Sequence, residues 1–186
     1  MQTLSETELR EIIAGRVFEY LAPLGFPDEQ SIEKIHHKAT RAIEKELRVK
    51  SRIEWNHYGS GYASYVDAWF YYPDGRAKHL SEDENHSGVV VLLSRLSRFY
   101  VVGQGKKSWH KTGGGSYLPA LKIVDTVAHS ALKPLEQGVD KILPAFGLER
   151  VRKIDLQHTI SSDIDIPTIL SEPPHHVFDA LFHWED

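Results

Sequence analysis

Tyr62-Ala63-Ser64-Tyr65-Val66-Asp67-Ala68-Trp69-Phe70-Tyr71-Tyr72 is the densest aromatic stretch of the chain, and Pro73-Asp74-Gly75 closes it. Aromatic and β-branched side chains fit a pleated, half-buried surface. Pro-Asp-Gly supplies the φ values of a turn and stops a strand. The stretch predicts a central antiparallel strand running into a turn. Just upstream, Ile53, Trp55 and His57 alternate with Arg52, Glu54 and Asn56, a period of two that predicts a half-buried strand. Gly59-Ser60-Gly61 is the expected turn between the two. Downstream, Val89 to Leu93 and Phe99 to Val102 are apolar runs about a short basic break, Ser94 to Arg98. They predict two strands of a hairpin or one long bulged strand, and their two-sided apolarity predicts burial under helices.

Farther out the period changes to that of helices. Ser5-x-x-Glu8 has the form of a capping box. Behind it, Leu9, Ile12, Ile13, Val17, Tyr20, Leu21 and Leu24 share a helical face. A second helix starts at Asp28 or Ser31, with Ile32, Ile35, Ala39, Ala42, Ile43 and Leu47 as its stripe. The two predict an antiparallel helical hairpin over residues 1–48. Gly103 to Tyr117 predicts a loop. Leu118 to Leu132 predicts a helix with Leu121, Val124, Ala128 and Leu132 on one face. Pro134 suits the first position of a further helix carrying Leu135, Val139, Ile142 and Leu143, closed by Pro144 and Gly147. Arg150 to Ile160 alternates and predicts a last strand. Residues 177–186 fit helix and strand equally. The likeness of Asp67-Ala68-x-Phe70 to Asp179-Ala180-x-Phe182 tips them toward strand.

The expectation is one α+β domain over residues 1–186. An antiparallel sheet from 51–104 and 150–160 carries the two N-terminal helices and the 118–146 helices. Its expected core includes Val66, Ala68, Phe70, Val91, Leu93, Val101, Leu121, Val124 and Ile142. At 186 residues such a domain buries roughly 70% of its unfolded surface. Cysteine is absent, which excludes disulfides, Cys-ligated metals and Cys nucleophiles. The first residues lack a basic and then apolar leader, and no run approaches a membrane span of roughly 20 residues. A soluble, cytoplasmic protein is expected. The net charge of −4 disfavours nucleic acid and favours basic partners.

Candidate chemistry is sparse. Among the 11 histidines there is no His-Glu-x-x-His motif. The best ligand row, His175, Asp179 and His183, needs a helical C-terminus, and no metal or other cofactor is expected. Trp109 to Ser116 is glycine-rich but lacks the spacing of a phosphate loop. His110 followed by Thr112 is half of a two-histidine phosphoesterase pair, and no second His-x-Thr/Ser completes it. An enzyme reading would use His110, His158 and Asp163 or Asp165. What remains is an acidic and aromatic surface made of Glu82, Asp83, Glu84, Asp163, Asp165, Trp184, Glu185 and Asp186. Acidic groups around exposed aromatics suit a basic protein partner, because charge steers encounter and buried rings hold it. The same patch would also serve a homodimer.

In size, mild acidity, aromatic α+β pattern and missing catalytic signature, the whole chain resembles a bacterial immunity protein of a polymorphic toxin system. The resemblance implies a cytoplasmic antidote that binds one cognate toxin domain and occludes its active site. It maps no site residues onto this chain.

Overall fold

The computed structural model describes residues 4–14, 21–22, 25–77, 85–108 and 115–186. The fold is α+β. The aromatic stretch forms its middle but is broken at Ser64. Tyr62–Ala63 (β2) belongs to a small sheet, and Tyr65–Tyr71 (β3) is inside the main one. The main sheet also contains Lys50–Glu54 (β1), Asn85–Ser94 (β4), Phe99–Ser108 (β5) and Glu149–Arg150 (β6), in the order β1-β3-β4-β5-β6. β1, β3, β4 and β5 run antiparallel, and β4 and β5 form a hairpin about residues 95–98.

Period-two alternation divides the sheet into two faces. On face one Val66, Ala68, Phe70, Val89, Val91, Leu93, Tyr100 and Val102 join a core completed by Glu29–Leu47 (α2) and Lys133–Ile142 (α3). α2 lays Ile32, His36, Ala39, Thr40 and Ile43 inward at helical spacing. Asp28 caps it by accepting from the Ser31 N–H at 2.6 Å, and its chain reverses at Arg48, where φ is 53°. On face two Tyr65, Trp69, Val90, Leu92 and Val101 meet Glu6–Ile13 (α1), Lys153–Leu156 (α4) and Val177–Leu181 (α5). The predicted capping box is present in α1: Glu8 accepts from the Ser5 N–H at 2.7 Å. α1 and α2 therefore serve opposite faces, with Leu9 and Ile12 in one core and Ile32 and Ile43 in the other, which replaces the expected hairpin.

Four other sequence expectations give way. β5 continues to Ser108, so Gly103 and Gly105 are strand residues and not loop. Residues 118–132 form no α-helix, only 3-10 turns at Leu121–Ile123 and Ser130–Leu132. Their backbone is drawn onto the edge of β5, where Gly103 bridges Val124 and Lys107 bridges Ser116. Leu121 is accordingly half-buried, whereas the other eight expected core residues are buried. The expected last strand shrinks to Glu149–Arg150, which runs parallel to β5, and its continuation turns into α4 with Ile154 63% exposed. The C-terminus takes both of its readings in turn: α5, then Trp184–Glu185 (β7), antiparallel to β2. Asp179 accepts from the His176 N–H at 2.7 Å and starts a helix. The same four-residue pattern at Asp67 lies in a strand, so local likeness did not carry local structure.

Candidate functional site

β2 and β7 set the terminal residues against the turn before the central strand. Gly61 has φ 61°, and a Cβ there would lie 1.9 Å from the Glu185 carbonyl oxygen. Only glycine lets the C-terminal strand approach so closely. Trp184 lies with its ring centre 4.9 Å from that of Tyr58, and its indole N–H donates to the Ser60 carbonyl at 3.1 Å. His57 and Tyr58 hold φ of 52° and 57°, a left-handed conformation that non-glycine residues rarely adopt and that clusters at functional sites. Tyr62 stacks on His57 at 5.2 Å and points its hydroxyl at Glu29, 3.4 Å away.

Glu29 and Glu33 lie one turn apart on α2 and share a buried cation. Arg95, 1% exposed, is 3.3 Å from Glu33 and 3.8 Å from Glu29, and donates to the Trp55 carbonyl at 2.8 Å. Its guanidinium ties the β4–β5 turn to both neighbours. Trp55 in turn stacks on His37 at 3.7 Å. The result is a strip of half-buried rings, Trp55, Tyr62, Tyr58 and Trp184, beside the carboxylates of Glu29, Glu33, Glu185 and Asp186.

Of the residues singled out in sequence, Trp184, Glu185 and Asp186 belong to this strip. Glu82, Asp83, Glu84 and His110 lie outside the described residues. Asp163 and Asp165 are exposed, and Asp163 is paired with Arg10 of α1. No hydrogen bond or ion pair among the described residues joins either aspartate to the strip or to the exposed His158. The His175, Asp179 and His183 row does not assemble. α5 is only Val177–Leu181, Asp179 accepts from the Ser171 hydroxyl at 2.8 Å, and His183 is 3% exposed beyond the helix end. No cluster of three potential metal ligands occurs among the described residues.

The sequence reading missed a buried polar network on face two. Asp67, 1% exposed, accepts hydrogen bonds from Tyr58, at 3.0 Å, and from Tyr117, with the Lys107 ammonium at 3.9 Å. Burial pushes its carboxyl above the usual range against the pull of Lys107 and the two hydroxyls. Tyr117 reaches it across Gly105, where a Cβ would come within 2.2 Å of the ring. A glycine on a strand opposite an aromatic is the sequence sign of such a crossing. A second network surrounds Arg150, which bonds Asp140, Asp125 at 2.7 Å and Glu136 at 3.0 Å. Burial opposes its charge, yet the carboxylates outweigh that and raise its pKa. Both networks are consumed by internal partners and tie turns to the sheet.

Comparison with known proteins found no family model, no curated protein and no solved structure that matches this chain. No helix among the described residues is long and apolar enough to cross a membrane.

Proposed function

We propose that this protein is an immunity-type antidote, which binds one basic toxin domain acting in the cytoplasm and occludes its active site. The observation that carries the reading is the seating of Trp184-Glu185-Asp186 against Tyr58 and Tyr62, next to Glu29 and Glu33. Rings held at the surface by internal hydrogen bonds lose little entropy on binding and serve as anchors. Carboxylates around them attract a basic partner and speed encounter. The strained His57-Tyr58 turn fits a surface held ready for a partner.

The test is a search for a toxin-sized gene beside this one and co-expression with its product, which should restore growth. In the purified pair, Trp184→Ala should speed dissociation about 30-fold, the scale of an interface hot spot. Glu185→Lys with Asp186→Lys should mainly slow association and flatten its salt dependence. Thermal unfolding of each variant alone separates lost binding from lost fold. Absence of a rescued neighbour, or unaided phosphoester hydrolysis by the pure protein, would overturn the reading in favour of an enzyme using His110, His158 and Asp163 or Asp165. A concentration-dependent homodimer abolished by Trp184→Ala would reassign the strip to self-association.

A further inference from the structure

β5 bonds outward through alternate peptides along its free edge. The carbonyls of Arg98, Tyr100, Val102 and Lys106 accept from Glu149, Val151, Asp125 and Tyr117 at 2.9, 2.9, 2.8 and 3.1 Å, and the Ser108 N–H donates to Gly115 at 2.9 Å. Strand alternation turns every even-numbered peptide of β5 toward this edge. The groups in the row without a hydrogen-bond partner among the described residues include the Gln104 carbonyl and the Lys106 N–H. The gap has a cause in the sequence. Extending the register of Lys107 with Ser116 by three residues sets Pro119 opposite Gln104, and proline has no N–H to give. The chain bulges outward instead and returns to β5 at Val124. Beneath the bulge is an open cleft of about 380 Å³ lined by Gln104, Gly105, Lys106, Ser116, Tyr117 and Thr126.

We propose that this cleft captures the C-terminal residue of another polypeptide. In parallel register a single extended residue bonds two alternate peptides of its neighbour, one through its N–H and one through its C=O. β6 lies in that register farther down the same edge, where the Glu149 N–H meets the Arg98 carbonyl. In the cleft, the incoming N–H donates to the Gln104 carbonyl. The terminal carboxylate accepts from the Lys106 N–H, and the exposed Lys106 ammonium balances its charge. The incoming chain must end there, because residues 115–117 occupy the edge beyond Lys106, and its preceding residues turn outward to clear 124–125. Strand addition and terminal-carboxylate capture are both established modes of peptide recognition.

The test uses acetyl-Val-Val-Val with a free C-terminus and the same peptide amidated, each titrated into isotope-labelled protein. The free acid should shift the Lys106 amide resonance saturably and slow its hydrogen exchange. The amidated peptide should bind about tenfold more weakly or worse. Lys106→Glu should abolish the response to the free acid with thermal unfolding unchanged, and Trp184→Ala should leave it intact. Equal responses to the two peptides, or no saturable shift at Lys106 up to about 10 mM, would overturn the proposal and leave the antidote reading untouched.

Discussion

Face one of the sheet is closed by two regular helices, α2 and α3, whereas face two is closed by short helices, turns and the chain's last residues. Among the buried ionisable groups, His36 on face one and Asp67 on face two respond oppositely to acid. On face one His36 is fully buried, neither ring nitrogen has a hydrogen-bond partner among the described residues, and burial lowers its pKa to about 3, helped by the nearby Arg95 and His37. Below pH 6.5 the unfolded chain binds a proton that the native state refuses. Its stabilising contribution is whole above 6.5 and is lost as pH falls toward 3. On face two burial raises the pKa of Asp67, so the native state takes a proton more readily than the unfolded chain. Acidification therefore relieves Asp67 while it strains His36. Regular packing leaves an unpaired polar ring no escape, whereas irregular segments can bring side chains to a buried charge.

Breaking the aliphatic face should have the largest effect. Phe70→Ala, at a fully buried position of β3, should cost about 3–5 kcal/mol in denaturant unfolding. A near-neutral result would mean that face one is not the main core. His36→Met should remove the acid limb of stability on that face, a gain approaching about 3 kcal/mol at pH 4 relative to wild type and little at pH 8. Equal pH profiles for the two proteins would refute the assignment of that limb to His36. On face two, Tyr117→Phe takes one donor from a buried carboxylate and should cost about 1.5–3 kcal/mol, less below pH 4 than at pH 7. Asp67→Asn should abolish that pH difference, as chemical denaturation at both pH values would reveal. Ile154→Ser, on the exposed side of α4, should change stability by no more than about 0.5 kcal/mol. A larger loss would mean that Ile154 is covered by a partner or by a second copy.

The contrast between the faces also explains what could be seen in the sequence. Face one is written in periodicities. The alternation of Val66, Ala68 and Phe70, the helical stripe from Ile32 to Leu47 and Pro134 at the start of α3 each point to their structure directly. Face two is written in single residues whose meaning depends on distant partners. The spacing of Leu121, Val124, Ala128 and Leu132 is helical, yet Pro119 and the open edge of β5 hold that segment extended. Arg95 stands in a basic break that suggests solvent, and is buried because Glu29, Glu33 and the Trp55 carbonyl meet it there. Of the candidate site, the terminal Trp184-Glu185-Asp186 was legible as acidic and aromatic. Its companions Tyr58, Tyr62 and Glu29 were not, because the contact between residue 62 and residue 185 exists only in three dimensions.

Ser64, the break between β2 and β3, has a consequence for how the chain reaches its native state. Its N–H and hydroxyl donate to the His183 carbonyl, its hydroxyl oxygen accepts from the His183 N–H at 2.8 Å, and its carbonyl accepts from Arg95. The bonds to His183 join positions 119 residues apart. Contacts so remote in sequence close late and slow folding, because the loop between them must be ordered first. During synthesis, face one can assemble once α3 has left the ribosome, while face two stays open until residue 183 follows. For that interval Tyr65, Trp69 and Leu92 lack the part of their cover that residues 177–184 supply, and a nascent chain stalled there would expose aromatic surface to aggregation.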